Sequence, residues 1–396
     1  MQVAYVCADS GVPVFGVKGC SIHVQEIVNA FGKRGDHLTL FATRLGGKRQ
    51  EHFPVDCSEF PILSGLSLAD RESALMDAAE KIAKTWAIAP TPFDLVYERY
   101  SLWSCASMKA ARKLKIHSIL EVNSPLIEEQ IKHREISNLD QAHAIRNDAF
   151  LNATTIVTVS DEVARYVCKH LDDTEHAKVH VVPNGVDVDR FCPSHFPQDS
   201  NREFTIGFLG TLKPWHGLES LLTAFELVTK AKPKAKLRII GDGPLREELQ
   251  LRIQNHYPQL ENQIDWVGAV NPWEVPGELS KLDVAVAPYL ETDDFYFSPL
   301  KVYEYMAAGR AVVASQIGQI SSLIHDNVNG CVYPAGDVKR LASLLIELAN
   351  DPERRSRLGR AARSCAEERH SWDSALASIL GYVKQDKRNT QRVLLA

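Results

Sequence analysis

Short runs of apolar residues alternate with amphipathic stretches along most of the chain. Apolar runs of this length are typical of buried strands, and the amphipathic stretches between them are typical of surface helices. Strands separated by helices favour parallel sheets with helices on both faces. In the first half, the predicted strands are VAYVCA, LTLFAT, FDLVYE, SILEVN, TIVTVS and VHVVPN. In the second half, they are FTIGFLG, KLRIIGDG, IDWVGAV, VAVAPY and AVVAS.

The strand pattern restarts after a polar stretch that contains proline, FCPSHFPQDSNRE. We therefore predict a first α/β domain over residues 1–190, a linker over 191–202 and a second α/β domain over 203–370. A break near His370 in the helical tail predicts that residues 372–396 pack back on the first domain. A chain of 396 residues is long enough for two such domains. Ligands of open parallel sheets bind at the carboxyl ends of the strands, so functional residues are expected in the loops there.

The composition excludes several classes of protein. Apolar residues make up 45% of the chain and the net charge is −5, which is ordinary for a globular protein and does not favour nucleic-acid binding. The N-terminus, MQVAYVCADS, is too polar for a signal peptide and no apolar run reaches membrane-spanning length. The eight cysteines form no C-x-x-C pair, so neither zinc nor a redox motif is predicted. We expect a cytoplasmic protein, and the sequence leaves open a peripheral contact with a membrane.

One stretch, YFSPLKVYEYMAAGRAVVAS, combines a helix start with an unusual charge. Ser298 is a predicted N-cap, Pro299 fits the first helical position and Gly309 is a predicted helix stop. Lys301 places a cation in the first turn, where it opposes the helix dipole unless an anion binds there. Glu304, one turn further, would accept hydrogen bonds from hydroxyl groups such as those of a ribose. The alternative is a weak Lys301–Glu304 ion pair on a solvated helix face.

Four further loops follow predicted strands. The first contains Gly16, Lys18 and Gly19, which would face an anion, and Ser21 as a predicted helix cap; an ordinary flexible loop is the alternative. His23 lies near the same helix start, and a lone histidine there is more often a packed residue than a catalytic one. The remaining loops contain Gly210 with Lys213 and His216, Gly241 with Gly243, and the stretch from Trp266 to Val270. The loops with Gly210 and with Gly241 also have a purely structural interpretation, as strand-to-helix turns.

The order of these motifs resembles glycosyltransferase family 4. The similarity rests on VVPNGVD, GFLG followed by WHG, IIGDGP, WVGAV, LDVAVAPY and SPLKVYEYMAAGRAVVAS, and it extends more loosely over the first half. The resemblance implies the GT-B fold, two Rossmann-like, doubly wound parallel-sheet domains that face a central cleft. It also implies a retaining transferase that uses a nucleoside diphosphate sugar as co-substrate and needs no metal or other cofactor.

The resemblance implies a role for individual residues. The backbone near Leu300 and Lys301 would hold the diphosphate, Glu304 would bind the ribose, and the base would lie near Gly241–Gly243 and Val267–Val270. Catalysis is assigned to Glu304, Lys301 and Lys213, and acceptor- or sugar-facing positions are assigned to His23, Asn123, Tyr296 and Asp294. Donor binding is assigned to Gly16, Gly19, Gly210, His216, Gly241, Gly243, Val270, Ser298, Leu300, Lys301 and Glu304.

The sequence departs from the family pattern in three ways. Tyr296 stands where the family often has the first acid of Glu-x7-Glu, and Asp293 or Asp294 would have to replace that acid. Thr211 and His216 stand in place of the usual arginine and lysine, with Lys213 nearby. If His216 binds phosphate as a cation, affinity should fall as the pH rises through its pKa. The third departure is Asn123, which stands where the family often has a histidine, near Glu121 and Glu128.

The sequence therefore predicts a retaining glycosyltransferase that moves a sugar from a UDP- or GDP-sugar to a hydroxyl acceptor, which is a glycan, a lipid-linked molecule or a small molecule. Two alternatives stay open. One is a nucleotide-sugar 2-epimerase, which would change the donor without an acceptor. The other is a nucleotide-sugar-binding subunit that has lost catalysis, an alternative that Tyr296 keeps open.

Overall fold

The computed structural model describes the backbone of residues 1–49, 53, 55–193, 203–291 and 295–395, and the side chains of these residues up to Asp386. The strands are β1 (Gln2–Cys7), β2 (His37–Ala42), β3 (Asp56–Glu59), β4 (Leu95–Arg99), β5 (His117–Val122), β6 (Thr155–Thr158), β7 (Val179–Val181), β8 (Thr205–Leu209), β9 (Lys236–Ile240), β10 (Ile264–Gly268), β11 (Val284–Ala287), β12 (Ala311–Ser315) and β13 (Cys331–Tyr333). The helices are α1 (Gly19–Lys33), α2 (Leu68–Ala87), α3 (Ala106–Leu114), α4 (Leu126–His133), α5 (Leu139–Asn152), α6 (Asp161–Cys168), α7 (Leu218–Ala231), α8 (Arg246–His256), α9 (Val275–Ser280), α10 (Leu300–Ala307), α11 (Ile320–Leu323), α12 (Val338–Asn350), α13 (Pro352–Arg369) and α14 (Trp372–Leu395).

The chain forms two compact units. The first comprises residues 1–184, 296–298 and those from 372 onward, and the second comprises residues 185–295 and 299–371. Of the predicted linker, residues 194–202 lie outside the described residues, and residues 191–193 are grouped with the second unit.

The first unit is built on a seven-stranded sheet in the order β3-β2-β1-β4-β5-β6-β7, with every pair parallel. The central strands are buried on both faces, because helices cover both, and they therefore read as continuous apolar runs. Helix α14 packs on α1, β5 and β6. Its Asp386 accepts a hydrogen bond from Thr155 Oγ1 at 2.6 Å, which ties this helix to the sheet.

The second unit is built on a six-stranded parallel sheet in the order β10-β9-β8-β11-β12-β13. Both sheets reverse their strand order beside the first strand of the unit, next to β1 and β8, and doubly wound sheets bind ligands at such points. The predicted α/β fold class with two doubly wound domains is confirmed.

Two edge strands, β3 and β13, escaped the sequence analysis because each is short, and β3 is polar (DCSE). Edge strands bury less surface, so their sequences carry little apolar signal. Within the described part of the chain, none of the helices is both long and apolar enough to cross a membrane.

Candidate functional site

Helix α10 of the second unit begins at Leu300, one residue later than the sequence suggested. The N-cap is Pro299, so the prediction that Ser298 caps this helix is wrong. Ser298 belongs to the first unit, where its Oγ accepts the backbone N–H of Asn184 at 3.0 Å. The predicted stop at Gly309 is confirmed, because Gly309 has a φ of +64° and donates its N–H to Met306 O at 2.9 Å.

Lys301 lies in the first turn of α10, where the helix leaves backbone N–H groups without helical acceptors. The side chain is buried, and its Nζ makes no hydrogen bond to any described residue. Its neighbours are aromatic: Nζ lies 4.2 Å from the Phe208 ring centroid and 5.1 Å from that of Tyr289. Cation–π contacts stabilise an ammonium group without occupying its hydrogen-bond donors. Three donors therefore remain available to an anion.

Gly210, which follows β8, makes room for this ammonium group. Its φ of +136° is a conformation that residues with a side chain rarely adopt, and a Cβ there would stand 2.9 Å from Lys301 Nζ. Burial lowers the pKa of Lys301 to about 7, although the nearby charge of Glu304 raises it. Lys301 is therefore only partly protonated at neutral pH, and an anion bound beside it would favour the charged form.

Glu304 is half-buried one turn after Lys301. Its charge also raises the pKa of Tyr289, after the larger effect of burial, so the carboxylate faces the same group of side chains as the ammonium. The two side chains are not a solvated surface pair, because Lys301 is only 8% exposed. The role of Glu304 in binding a ribose stays a prediction.

The loop after Gly210 places Lys213 and His216 beside this group. Lys213 Nζ lies 5.6 Å from the ring centroid of Trp215, and the His216 ring lies 5.3 Å from that of Tyr289. Burial, followed by the charge of Lys301, lowers the pKa of His216 to about 3. Its Nδ1 lies 2.6 Å from Thr211 O and therefore carries the proton of the neutral ring. A pKa this low does not favour a positively charged His216 near neutral pH, and the role of His216 in binding phosphate stays a prediction.

The loops expected to hold the base follow β9 and β10. Gly241 and Gly243 lie against the loop after β8, since a Cβ at Gly241 would meet Gly210 O at 2.1 Å and one at Gly243 would meet Leu212 N at 2.6 Å. These glycines are therefore required by packing, whatever they bind. Val270 is half-buried, two residues beyond the end of β10. Base binding at these loops stays a prediction.

In the first unit, the glycine loop leads into α1, which begins at Gly19. Lys18 is the N-cap residue and makes no side-chain capping bond, so the prediction that Ser21 caps this helix is wrong. Ser21 is fully buried within the helix, and its Oγ has no hydrogen-bond partner among the described residues. Gly16 lies against it, because a Cβ at Gly16 would stand 2.7 Å from Ser21 Oγ. Gly19 is exposed.

His23 and Asn123 meet at Glu121, near the carboxyl end of β5. His23 Nε2 contacts the Glu121 carboxylate, and Asn123 Nδ2 donates to Glu121 Oε1 at 2.6 Å. The Tyr97 hydroxyl donates to the other oxygen at 2.7 Å. Burial alone would raise the pKa of Glu121, but His23, assisted by Arg99 and Tyr97, lowers it to about 2. This carboxylate is therefore ionised near neutral pH.

The sequence analysis did not single out Arg99 or Tyr97. Both lie on β4, in the stretch LVYER, which was interpreted only as a strand. This apolar run ends in the charged residues Glu98 and Arg99, at the carboxyl edge of a parallel sheet. Charged residues at that edge are a sequence signal for a functional site.

Tyr296 is grouped with the first unit. Its hydroxyl donates to the Glu129 carboxylate of α4, and its backbone oxygen accepts the Ser160 hydroxyl at 2.8 Å. Asp293 and Asp294, the suggested replacements for the missing acid, lie outside the described residues. Among the residues that the structure describes, no group of three or more His, Cys, Asp and Glu side chains could hold a metal ion.

Comparison with known proteins identifies the class to which this fold belongs. A family model described as Glycosyltransferase Family 4 matches residues 17–190, and one described as Glycosyl transferases group 1 matches residues 203–351. Together they cover most of both units. The HepE protein of Anabaena, solved in complex with UDP, superposes with a TM-score of 0.72 at 17% identity, over 97% of this chain and 100% of that one. The fold is the GT-B fold, and the chain belongs to glycosyltransferase family 4.

Two curated relatives indicate how far the similarity extends. The GDP-mannose-dependent monoacylated alpha-(1-6)-phosphatidylinositol monomannoside mannosyltransferase of Corynebacterium glutamicum is 28% identical over 55% of this chain and 60% of its own length. The D-inositol 3-phosphate glycosyltransferase of Xylanimonas cellulosilytica is 24% identical over 94% of this chain and 93% of its own. The matches to the first curated relatives span only 50% to 60% of the length of those proteins.

Proposed function

We propose that the protein is a glycosyltransferase that moves a sugar from a nucleoside diphosphate sugar to a hydroxyl acceptor and retains the anomeric configuration. The observation that carries the proposal is Lys301, a buried ammonium group without a hydrogen-bond partner among the described residues, in the first turn of a helix. A buried charge is costly unless it is paired, so this arrangement favours an anionic ligand. Family membership supports the nucleoside diphosphate as that ligand.

The difficult step of glycosyl transfer is the departure of the diphosphate, which gains negative charge as the sugar bond breaks. The N–H groups of the first turn of α10 and the ammonium group of Lys301 would stabilise that charge where it develops. Lys213 would add a second cation from the neighbouring loop. Because no described residue accepts a hydrogen bond from Lys301 Nζ, the site needs little reorganisation before it binds phosphate oxygens.

In the proposed reaction, the acceptor hydroxyl attacks the anomeric carbon of the donor sugar. It approaches the sugar from the same face as the departing diphosphate. The leaving phosphate takes the hydroxyl proton, so the configuration is retained without a nucleophilic side chain. Glu304 would hold the ribose through its 2′- and 3′-hydroxyls and fix the position of the diphosphate. We further propose that no metal takes part, since the helix end and Lys301 would supply the positive charge that a divalent ion provides elsewhere.

The donor is a UDP-sugar or a GDP-sugar. A GDP-mannose-dependent relative supports GDP, and the UDP complex of HepE supports UDP. For the acceptor, relatives named for phosphatidylinositol mannosides and inositol 3-phosphate support a polyol hydroxyl. Such lipid acceptors would place the enzyme at the cytoplasmic face of a membrane as a peripheral protein.

The test is release of the nucleoside diphosphate. The full chain is incubated with single UDP-, GDP- and ADP-sugars in EDTA, with and without a cell extract as acceptor source, beside Lys301→Ala and Glu304→Ala. Lys281→Ala, an exposed lysine of the second unit, is the matched control. Release from one donor class that both site variants lose, and the control keeps, would support the proposal and identify the base. A product still carrying its nucleotide would indicate an epimerase, and nucleotide binding without release in any mixture would indicate a binding subunit.

A further inference from the structure

Two neighbouring strands of the second unit, β8 and β11, separate at their carboxyl ends. They lie side by side where this sheet reverses its strand order. Both strands lie wholly within the described residues, and they pair with each other only over residues 206–207 and 284–285. The last two residues of β8 still pair with β9, and the last two of β11 still pair with β12. Doubly wound sheets bind ligands at such a separation.

The hydroxyl group of Tyr305, from helix α10, lies between the separated strand ends. It accepts the backbone N–H of Leu209 at 2.8 Å and donates to the backbone oxygen of Val286 at 3.3 Å. In the register of the paired residues, this N–H would donate to this oxygen directly if the parallel ladder continued. The hydroxyl therefore takes the place of the next ladder hydrogen bond and holds the two strands apart.

Both hydrogen bonds of this hydroxyl are buried, and Tyr305 itself is fully buried. Water is therefore not an alternative partner for Leu209 N–H or for Val286 O. A buried backbone group without a partner is costly. If the hydroxyl were absent, the two backbone groups would gain most by meeting each other, which closes the ladder by one hydrogen bond.

The residues around Lys301 come from the same two strand ends. Phe208, from the separated end of β8, has its ring centroid 4.2 Å from Lys301 Nζ. Tyr289, just beyond β11, has its ring centroid 5.1 Å from the same atom. Tyr305 lies four residues after Lys301, so both side chains lie on one face of α10. Closing the ladder would therefore move Phe208 relative to the ammonium group.

We propose that Tyr305 is a positioning residue for an anion site at Lys301, which its hydroxyl keeps open by holding β8 and β11 apart. The hydroxyl makes both of its hydrogen bonds to backbone groups inside the unit, so it acts through the strand ends and not by contact with a substrate. The inference deepens the proposed function and rests on it for the identity of the ligand, a nucleoside diphosphate. The separation of the strands does not depend on transferase activity.

The first experiment removes only the hydroxyl. Calorimetry on the full chain measures the affinity for UDP, GDP and ADP with and without Tyr305→Phe. The nucleotide that binds the unaltered chain most tightly should bind the variant about tenfold more weakly, an effect within the range of coupling between neighbouring residues. Equal affinities in the two proteins would refute the proposal.

The matched control is Tyr303→Phe. Tyr303 is also buried in α10, and its hydroxyl donates to Gln319 Oε1 at 2.9 Å. Removing this hydroxyl should lower the melting temperature about as much as Tyr305→Phe does, because each variant leaves a buried polar group without its partner. It should change nucleotide affinity less than about twofold. The same loss of affinity in both variants would overturn the proposal.

A double-mutant cycle separates positioning from a general loss of stability. If the hydroxyl acts through Lys301, Tyr305→Phe should change nucleotide affinity less than about twofold in a Lys301→Met chain. The fall in melting temperature should be the same in both backgrounds. An equal loss of affinity in both backgrounds would show that Tyr305 affects binding by another route and would overturn the proposal.

Hydrogen exchange in the unaltered chain tests the hydrogen bond itself. Gly207 and Leu209 are two residues apart on β8, so their N–H groups point to the same side of the strand. Gly207 lies in the paired part of the ladder with β11. Site-resolved mass spectrometry should find that the Leu209 amide exchanges at most about tenfold faster than the Gly207 amide. Faster exchange of Leu209 than this would overturn the proposal.

The outcomes distinguish this inference from the proposed function. Nucleoside diphosphate release with unchanged affinity in Tyr305→Phe would retain the transferase and reject the role of Tyr305. Weaker binding in Tyr305→Phe, with no release from any donor, would retain that role and reject the transferase. A chain that binds none of the three nucleotides would overturn the inference, and the release assay alone would then decide the proposed function.

Discussion

The pKa of Lys301 predicts that donor affinity depends on pH in a specific direction. The pKa is about 7 in the free protein, because the ammonium group is buried. A diphosphate bound beside it favours the charged form, so the bound protein takes up a proton and keeps it. Raising the pH through 7 deprotonates Lys301 in the free protein, so binding must then return a proton to Lys301. Affinity should therefore fall as the pH rises.

The size of the effect follows from the fraction of Lys301 that is protonated before binding. That fraction is about nine tenths at pH 6, about half at pH 7 and about one tenth at pH 8, so affinity should fall about tenfold from pH 6 to pH 8, or about 1.4 kcal/mol. Proton uptake on binding should rise from about half a proton at pH 7 to about nine tenths at pH 8.

Calorimetry with an intact nucleoside diphosphate sugar and no acceptor measures both quantities. The intact sugar nucleotide is preferable to the free diphosphate, whose terminal phosphate itself titrates near pH 6. Repeating each titration in buffers of different ionisation enthalpy counts the protons. Lys301→Met should bind more weakly and lose the pH dependence, whereas His216→Gln should keep it, because the pKa of His216 is about 3. An affinity that is flat from pH 6 to pH 8, or a slope that survives in Lys301→Met, would refute the reasoning.

Three further predictions concern single residues. Glu304→Gln should remove the preference for a donor with intact ribose hydroxyls over its 2′-deoxy analogue, a loss of about tenfold; equal discrimination by both proteins in a competition assay would argue against ribose binding. Gly210→Ala should lower the free energy of unfolding in urea by about 1–3 kcal/mol, because Gly210 has a φ of +136°. It should also weaken donor binding, because the added Cβ would contact Lys301. An unchanged free energy of unfolding would contradict this account. Glu98 is fully buried and accepts a hydrogen bond from Ser104, and burial raises its pKa to about 7. The free energy of unfolding should therefore fall as the pH rises from about 4.5 to about 7 and then level off. Urea titrations at pH 5 and pH 8 measure this fall, which is roughly 3 kcal/mol in the unaltered protein and should be mostly absent in Glu98→Gln. The same pH profile in both proteins would show that Glu98 is not the titrating group.

Much of the fold could be predicted because buried parallel strands carry a strong local signal. Runs such as VAYVCA and VAVAPY are apolar on both faces of the strand and are bounded by turn residues. The strands β3 and β13 lie at the edges of their sheets and lack that signal. Helix caps were harder to predict, since Ser298 and Ser21 are both residue types that favour caps, yet one is bound by Asn184 and the other is buried inside a helix.

The candidate site divides in the same way. The helix start beside Lys301, the acid Glu304 and the glycine Gly210 are visible in the sequence, because a helix end and a tight turn have local sequence requirements. The charge states of these residues are not local properties. His216 and Lys301 both have a lowered pKa because distant parts of the chain bury them.

The sequence by itself determined the α/β class, the restart near residues 191–203 and the position of the predicted diphosphate-binding motif, because periodicity and turn chemistry depend on neighbouring residues. Only the tertiary structure decided which side chains meet. It placed Arg99, Tyr97 and Glu121 from adjacent strands beside His23 from a helix, where the three side chains together lower the pKa of the Glu121 carboxylate. Burial and pairing depend on contacts between residues far apart in the chain, and these contacts set the charges on which binding depends.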